Sequence, residues 1–386
     1  MFHSIYKEIG VTPIINAGGT KSAYGGSKMS DEVLEAIREA SRSFVSMIEL
    51  NKKIGEYIAR ITGAEAGMVT SGAASGTVLS IAACMTGTDI SKIRRLPDST
   101  GMKNELIIQK IHRGAYSHMY TFSGAKFVEI GNFNECLEEE LEGAITEKTV
   151  AMGYLFGPRV PRSGLTFSKV IEIAHKYKIP VIVSAAAMLP PKKNLSKYIQ
   201  EGADLVVFSG GKMIHGPQAT GLLFGKRSLV EAALANASPN HAIGRPHKVS
   251  KEDMVGLYAA LKSYIEIDEE KMFKNFIHLL QPIIKALSDI KGIKAEIIHD
   301  EINHHVPVIV IQFDPEWLGP SGAEISTILL QKNPRIFIQY FKELGHLVVN
   351  PVSLQDGENE IVAMRLREEL TLYNKSTIKG IARSGS

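Results

Sequence analysis

The sequence predicts an α/β protein in which a mostly parallel β-sheet forms a large domain and a small α+β domain follows it. Between residues 50 and 225, short runs rich in valine and isoleucine alternate with amphipathic helical segments. Strands that are apolar along their whole length are typical of a parallel sheet covered by helices on both faces. After residue 288, short strands mix with two helical segments, which indicates an α+β domain of about 100 residues.

The elements of the large domain alternate regularly along the chain. Its predicted strands are "AGMVTSG", "NELIIQK", "KFVEIG", "TVAMGYLF", "IPVIVSAAA" and "DLVVFSGG". The helices between them are "AASGTVLSIAACM", "NECLEEELEGA", "FSKVIEIAHKYK" and "NLSKYIQEG". Parallel strands joined by helices place a ligand site at their carboxyl ends, so side chains that follow different strands are expected to converge there.

The remaining segments complete the predicted domain organisation. The small domain is predicted to contain the strands "IKAEIIHD", "VPVIVIQF", "RIFIQYF" and "HLVVNP" and the helices "GAEISTILLQ" and "NEIVAMRLREEL". One long helix from Lys251 to about Ser288 is expected to join the domains. The N-terminal segment "INAGGTKSAYGGS" is too rich in glycine for a helix, and it is expected to lie as an arm across the domain cleft. The predicted boundaries are an arm and helix over 1–49, the large domain over 50–265, the small domain over 266–373 and a tail over 374–386.

Composition narrows the class of protein. The 386 residues are 44% hydrophobic, carry a net charge of only +3 and have basic and acidic side chains interspersed, so neither a nucleic-acid groove nor a membrane-binding patch is indicated. Cys84 and Cys136 show no CxxC or metal-site spacing, which is typical of a reducing compartment. With no apolar signal segment at the N-terminus, the sequence predicts a cytoplasmic protein that acts on a small molecule.

The segment "TSGAASGT", Thr70 to Thr77, is a candidate phosphate-binding loop. A predicted strand ends here, small residues turn the chain, and a helix begins, so that backbone N–H groups point at the space in front of the helix. Small residues also let a helix pack closely on a sheet, so the segment alone leaves both interpretations open.

Two polar residues follow other predicted strands. Ser184 ends "IPVIVS" and is followed by three alanines, which keep the space in front of it open; a serine here could also simply cap a turn. Lys212 follows "DLVVFSGG", and glycines on both sides leave its amine reachable; the alternative is a loop lysine that extends to solvent. A phosphate cradle, a polar partner for a ring nitrogen and a lysine that forms a Schiff base together suit pyridoxal phosphate.

The sequence resembles the pyridoxal-phosphate enzymes of the family that contains selenocysteine synthase (bacterial seryl-tRNA selenium transferase) and D-glucosaminate-6-phosphate ammonia-lyase. The resemblance covers nearly the whole chain, and its most specific segments are "FSGGKMIHGPQATG" and "IGRPHKV". It implies the aspartate-aminotransferase-like fold (fold type I), with a mostly parallel seven-stranded sheet and a small C-terminal α+β domain. It also implies a homodimer or a larger even-numbered homo-oligomer whose site lies at a subunit boundary.

The resemblance assigns the cofactor-binding residues. Lys212 would bind the cofactor aldehyde and later move the α-proton of the substrate. Backbone N–H groups of Ser71, Gly72 and Ala73 would hold the phosphate, and Ser209 would add a hydroxyl.

The ring-stacking and peripheral residues are assigned in the same way. His118 is favoured to stack on the cofactor ring, with Tyr116 and His112 behind it. Arg245 and Lys248 resemble the family's basic pair and would face the cofactor or a substrate phosphate, in the same or a neighbouring subunit; otherwise they are solvated charges. Further expected contacts to substrate come from Thr20 in the polar arm and from Arg365, with Arg367 as the alternative carboxylate-binding arginine.

Ser184 departs from the pattern of this fold, which normally has an aspartate at this position. The aspartate keeps the pyridine nitrogen protonated, whereas a serine hydroxyl can only donate a hydrogen bond to it, so the ring accepts electrons less strongly. This suits an α,β-elimination from a β-hydroxy amino acid, giving a 2-oxo acid and ammonia, with Lys212 as base and His215 as proton donor to the leaving hydroxyl.

Other functions remain open on the sequence alone. A racemase, an epimerase or an aminotransferase-like enzyme has the same cofactor requirements, and a weakened or non-catalytic cofactor-binding relative would also retain Lys212. A metal site at His299, His304 and His305 is not expected, because their spacing fits no compact site and the segment is typical of a turn before a strand.

Overall fold

The computed structural model describes residues 4–381, with side chains described for residues 5–372. Its contacts divide the chain into two compact units, one formed by Met1–Lys28 with Ile267–Ser386 and the other by Met29–Glu266. The helices are α1 (Ser4–Glu8), α2 (Asp31–Ala40), α3 (Met47–Thr62), α4 (Ala73–Thr86), α5 (Ile90–Ile93), α6 (His118–Thr121), α7 (Glu138–Ala144), α8 (Phe167–Lys176), α9 (Asn194–Gln200), α10 (Arg227–Asn236), α11 (Lys251–Glu266), α12 (Glu269–Leu287), α13 (Gly322–Gln331) and α14 (Glu358–Ile381). The strands are β1 (Ile14–Asn16), β2 (Ala66–Thr70), β3 (Glu105–Gln109), β4 (Lys126–Ile130), β5 (Thr149–Leu155), β6 (Val181–Ser184), β7 (Leu205–Ser209), β8 (Gly221–Gly225), β9 (Ile293–Ile298), β10 (Val308–Phe313), β11 (Arg335–Phe337), β12 (Gln339–Phe341) and β13 (His346–Val349).

The unit Met29–Glu266 contains a seven-stranded sheet in the order β2-β8-β7-β6-β5-β3-β4. Strands β3 to β7 pair in parallel, and β8 is antiparallel to both of its neighbours. The predicted mostly parallel seven-stranded sheet is therefore confirmed. The carboxyl ends of β2, β6 and β7 and the start of β8 lie at one edge of this sheet.

Burial explains why these strands form. The central strands β5 to β8 are buried almost throughout, as expected for a sheet covered on both faces. Helix α4 packs on one face, against a core that includes Met68, Leu106, Ile182, Val207 and Leu223. The edge strand β2 is protected because the buried Asn51 amide accepts from Val69 N at 2.8 Å and donates to Val69 O at 3.1 Å, in the manner of a neighbouring strand.

The other unit holds the predicted small α+β domain. Its four-stranded antiparallel sheet has the order β12-β13-β10-β9, and β1 pairs in parallel with β11. Its core includes Ile309, Leu347 and Leu366, which are fully buried. The segment predicted as an N-terminal arm and helix over 1–49 is divided between the units, because β1 pairs within this unit and α2 belongs to the other.

Two predicted elements were wrong in detail. The single long helix over Lys251–Ser288 is two helices, because the Asp268 side chain accepts from Lys271 N at 3.1 Å and caps a new helix start. The segment "RIFIQYF" is two short strands, because the chain leaves the β1 pairing and joins β13 on either side of Ile338. Residues 382–386 of the predicted tail lie outside the described residues. In the described part of the chain, every helix is too short or too polar to cross a membrane.

Candidate active site

Strand register brings three predicted site segments to one edge and one face of the seven-stranded sheet. Ser209, the last residue of β7, pairs with Gly221, which also pairs with Thr70 at the end of β2. Two residues earlier on β7, Val207 pairs with Ser184 at the end of β6. Paired residues point to the same face, and so do residues two apart on one strand. Ser184 and Ser209 therefore lie on the same face of the sheet, beside the loop that follows Thr70.

The loop after β2 forms a cradle of backbone at the start of the 14-residue helix α4. Gly72 has φ +87° and precedes the helix, and no side chain of the described residues caps it. Gly221 lies directly against this loop: a Cβ on Gly221 would come within 2.6 Å of the Gly72 carbonyl carbon and 2.8 Å of Ala73 N. The Ser75 hydroxyl is also buried here and has no hydrogen-bond partner among the described residues. Such a cradle offers N–H groups and a helix dipole to an anion.

We expect Gly221→Ala to weaken phosphate binding at this cradle. The added methyl must displace the Gly72–Ala73 peptide, because Cβ atoms do not occur that close to backbone atoms. The free energy of unfolding should fall by about 1–3 kcal/mol, and the Kd for pyridoxal phosphate, measured by fluorescence titration, should rise at least tenfold. Gly143→Ala is the matched control, because its methyl would meet no atom within 4 Å. An unchanged Kd in Gly221→Ala would contradict the assignment of the cradle.

A tight turn holds Lys212 immediately after β7. Gly210 donates to Thr220 O at 2.8 Å, and Gly216 donates to Gly210 O at 3.0 Å, which closes the loop on itself. A Cβ on Gly211 would lie 2.5 Å from Gln218 Cα, so the glycine pair is required for this close approach. Lys212 is half-buried and His215, the other predicted catalytic residue, adopts the left-handed conformation with φ +58° in the same turn. The structure thus places Lys212 and His215 at the edge that carries Ser184, Ser209 and the cradle.

The histidines after β3 occupy different environments. His118, the predicted ring-stacking residue, is exposed at the first position of the short helix α6, and Tyr116 is 75% exposed. His112 is buried and lies edge-on to Tyr154, with 4.4 Å between the ring centroids. Burial, assisted by the charge of Arg162, lowers the pKa of His112 to about 4. His112 is therefore neutral in the folded protein at neutral pH, and the choice of His118 as stacking residue stays a prediction.

His112 should make the protein less stable in mild acid. The unfolded chain takes up the proton below a pKa of about 6.5, whereas the folded protein does so only near 4. This contribution to stability is full above pH 6.5 and is lost as the pH falls toward 4, by up to about 3 kcal/mol. Urea unfolding of wild type and His112→Phe between pH 4 and 7 tests this: the variant should lose less stability in acid. The exposed His241→Phe serves as control, and parallel curves for wild type and His112→Phe would contradict the expectation.

Arg245 and Lys248 lie in the segment that follows α10. Both are exposed and line a cavity of about 680 Å³ between α3, β2, α10 and the segment after α10. Lys212, Ser184 and Ser209 are not among its lining residues. The expected contact of Arg245 and Lys248 with the cofactor or a substrate phosphate, in the same or a neighbouring subunit, stays a prediction.

Thr20 and Arg365 belong to the other unit. The guanidinium of Arg365 is engaged there, because it donates to Glu368 at 2.6 Å and to the buried Glu369 at 2.8 Å. Arg365 Nε has no partner among the described residues, and each terminal nitrogen makes one of these two bonds and keeps a second N–H. Arg367, the alternative, pairs with Asp289. The roles of Thr20 and Arg365 in substrate binding stay predictions.

Sequence reasoning missed several residues at the sheet edge. Gln109, fully buried at the end of β3, accepts from Leu165 N at 2.7 Å and donates to Leu165 O at 3.2 Å, which anchors the loop after β5. Tyr120 packs beside Ser184, although its position in the sequence gives no indication of this. Within residues 5–372, no group of three histidine, cysteine or acidic side chains could hold a metal ion.

Comparisons with known proteins find similarity over most of the chain. The sequence profile of the L-seryl-tRNA selenium transferase (SelA) family matches residues 14–313. The chain is 32% identical over 373 residues to a 5'-C-glycyluridine monooxygenase-decarboxylase of a Streptomyces species, covering 95% of this chain and 92% of that protein. It is 31% identical over 374 residues to the D-glucosaminate-6-phosphate ammonia lyase of Salmonella typhimurium, covering 95% and 98%.

Solved structures extend the likeness to the fold. The structure of a D-glucosaminate-6-phosphate ammonia-lyase superimposes with a TM-score of 0.85 at 29% identity, covering 97% of this chain and 100% of the other. The Escherichia coli cysteine desulfurase CsdA gives a TM-score of 0.58 at 17% identity, which supports the fold alone. The predicted aspartate-aminotransferase-like fold is confirmed.

Proposed function

Since this chain belongs to the L-seryl-tRNA selenium transferase (SelA) family of pyridoxal-phosphate enzymes, we propose that it is a pyridoxal-phosphate-dependent ammonia-lyase. Its substrate is a β-hydroxy amino acid, and its products are a 2-oxo acid and ammonia. The elimination removes one water from the substrate, and one water is taken up when the nitrogen leaves as ammonia. The observation that carries the proposal is the common edge shared by the cradle, Ser209, Ser184 and the Lys212 turn, with Ser184 and Ser209 on one face of the sheet.

The residues present fit the cofactor. The backbone of Ser71, Gly72 and Ala73, with the unpartnered Ser75 hydroxyl beside it, suits a phosphate, and Gly221 leaves the space that this cradle needs. Ser209 adds a hydroxyl on the same face. Bound pyridoxal phosphate supplies an aldehyde that attaches to amino groups and a ring that accepts electrons from bonds at Cα.

Lys212 has two tasks in this proposal. Its Nζ would bind the cofactor aldehyde, and the same amine, once free, would be the base that takes the proton from Cα of the substrate. The closed turn of glycines keeps the Lys212 backbone in place at the carboxyl edge of the sheet. His215, three residues later in the same turn, gives a proton to the departing β-hydroxyl, which leaves as water.

Ser184 favours elimination over reactions that need charge to remain on the ring. A serine hydroxyl would donate a hydrogen bond to the ring nitrogen but could not keep a proton on that nitrogen. Electrons released at Cα are therefore better passed on to a leaving group at Cβ. A β-hydroxyl on the substrate provides that leaving group. Transamination expels no group from Cβ and therefore does not have this outlet for the electrons.

A second candidate function is oxidative decarboxylation of an amino acid. It is favoured by the relative named 5'-C-glycyluridine monooxygenase-decarboxylase, which is 32% identical over 95% of this chain. In that case one oxygen atom of dioxygen enters the product at Cα, the other leaves as water, and the carboxylate leaves as carbon dioxide. The two candidates differ in their need for dioxygen.

One assay separates these reactions. The protein is loaded with pyridoxal phosphate and incubated with D-glucosaminate 6-phosphate, serine or threonine, with and without dioxygen, while 2-oxo acid, ammonia and carbon dioxide are measured. Equal 2-oxo acid and ammonia without dioxygen supports the lyase. Carbon dioxide released only with dioxygen supports the second candidate, and exchange of the α-proton for deuterium without product supports a racemase or epimerase. A protein that binds no cofactor would overturn the proposal.

Assembly is part of the same proposal. Family membership favours a homodimer or a larger even-numbered homo-oligomer, and the exposure of Arg245 and Lys248 beside a cavity whose lining does not include Lys212 suits a contribution to a neighbouring subunit. Light scattering on the purified protein measures the subunit number, and a monomer would contradict this part of the proposal.

A further inference from the structure

The ring of Tyr120 lies in a space that a glycine leaves open in the central sheet. Tyr120 is 4% exposed, and a Cβ on Gly153 of β5 would come within 3.3 Å of its ring. Its ring centroid is 6.2 Å from that of Phe127. The tyrosine is therefore a fixed part of the core on the α4 face and has little freedom to change its position.

Strand register places Tyr120 on the same face as Ser184. Gly153 pairs with Ile182 of β6, and Ser184 follows two residues later on that strand. Because residues two apart on a strand point to the same face, the Tyr120 ring and the Ser184 side chain share the face that carries the predicted site. Among the residues at this edge, Tyr120 brings a phenol toward the position that normally carries an aspartate in this fold.

The Tyr120 hydroxyl has an unusual environment. It is buried and makes no hydrogen bond of good geometry with a described residue. Burial raises the pKa of Tyr120 to about 12, and the nearby Ser184 hydroxyl lowers it in part. The two hydroxyls thus approach each other without a fully formed hydrogen bond, and the phenol keeps its proton throughout the physiological range.

We propose that Tyr120 is a positioning residue that fixes the Ser184 hydroxyl as a hydrogen-bond donor to the pyridine nitrogen of the cofactor. This inference rests on the proposed function. A serine hydroxyl has a single proton and two acceptor lone pairs. When the phenol of Tyr120 donates to Ser184 Oγ, the serine proton is directed elsewhere, and an unprotonated ring nitrogen is the acceptor that matches it. The pair therefore holds the ring nitrogen neutral, where an aspartate would hold it protonated.

The direct test observes the ring nitrogen. The holoenzyme is prepared with pyridoxal phosphate labelled with ¹⁵N in the ring, and its ¹⁵N chemical shift is measured in wild type, Tyr120→Phe, Ser184→Ala and the double variant. Tyr198→Phe is a matched control, because the Tyr198 hydroxyl is likewise buried without a partner among the described residues, on a tyrosine that is 1% exposed. Gly153→Ala is a second perturbation, since its methyl pushes against the Tyr120 ring.

The expected results are specific to a positioning role. In wild type the shift is that of an unprotonated, hydrogen-bonded pyridine nitrogen, and in Ser184→Ala it moves downfield as the hydrogen bond is lost. Tyr120→Phe and Gly153→Ala move it in the same direction by less, Tyr198→Phe leaves it unchanged, and the double variant shows no shift beyond that of Ser184→Ala.

Three outcomes would overturn the inference while leaving the proposed function intact. These are a Tyr120→Phe signal that coincides with wild type, an additive effect in the double variant, and a protonated ring nitrogen in wild type. Failure of the wild-type protein to bind the labelled cofactor would instead contradict the proposed function.

Discussion

Lys212→Ala is expected to lower the rate of 2-oxo acid formation by roughly a thousandfold or more, because one side chain supplies both the covalent attachment and the base. The turn around Lys212 is closed by backbone hydrogen bonds from Gly210 and Gly216, which do not involve the Lys212 side chain. We expect the variant to keep its melting temperature and to bind pyridoxal phosphate only reversibly, which dialysis followed by absorbance measures.

Two companion variants define the cause of this loss. Lys212→Arg keeps the positive charge but cannot attach to the cofactor, so it should be as inactive as Lys212→Ala. Lys193→Ala removes an exposed lysine at the start of α9 and should have wild-type activity. Activity in Lys212→Arg within tenfold of wild type would show that charge alone is required and would contradict the assigned role.

Ser184→Asp is expected to lower the elimination rate roughly tenfold or more, a change of about 1.4 kcal/mol or more in the activation free energy. A carboxylate at this position holds a proton on the ring nitrogen. The ring then retains electrons that would otherwise leave with the β-hydroxyl, and transamination, measured as conversion of the cofactor to its amine form, should become detectable.

Ser184→Thr is the matched control, because it keeps the hydroxyl, and it should retain most of the activity. A higher elimination rate in Ser184→Asp than in wild type would have the opposite meaning. It would show that this chain is a weakened member of its family rather than one whose serine suits its reaction. The comparison therefore separates two interpretations that the sequence leaves open.

The fold could be predicted from the sequence because its signals are local and strong. Strands such as β5 and β7 are continuous apolar runs bounded by glycine or polar residues, and each is followed by a helix or turn. The predictions that were wrong depend on distant partners. The division of "RIFIQYF" follows from the pairing of β11 with Ile14–Asn16, more than 300 positions earlier in the chain.

The site could be predicted where a reactive or polar side chain follows the end of a predicted strand. Lys212 and Ser184 are identified in this way and Ser209 by the family resemblance, and register then brings Ser184 and Ser209 to one face. Tyr120 could not be identified, because its proximity to Ser184 arises from the missing side chain of Gly153 on a third strand. A sequence pattern contains no information on such a space until the sheet order is known.

The same limit applies to the basic residues. Arg245 and Lys248 stand out in the sequence as a pair, but the return of the chain after α10 places them at the cavity beside α3. Arg365 stands out as a possible carboxylate-binding fork, but Glu368 and Glu369, three and four residues later on α14, already accept one hydrogen bond from each of its terminal nitrogens. The spacing of three and four residues on a helix would have indicated from the sequence that these two glutamates compete for the Arg365 guanidinium.

The central claim is that Lys212 Nζ carries the cofactor, and peptide mapping after reduction tests it most directly. The protein is incubated with pyridoxal phosphate, treated with borohydride to make the lysine–cofactor bond permanent, digested, and examined by mass spectrometry. We predict a single stoichiometric adduct on the peptide that contains Lys212, abolished in Lys212→Arg. An adduct spread over surface lysines, or none on that peptide, would contradict the account.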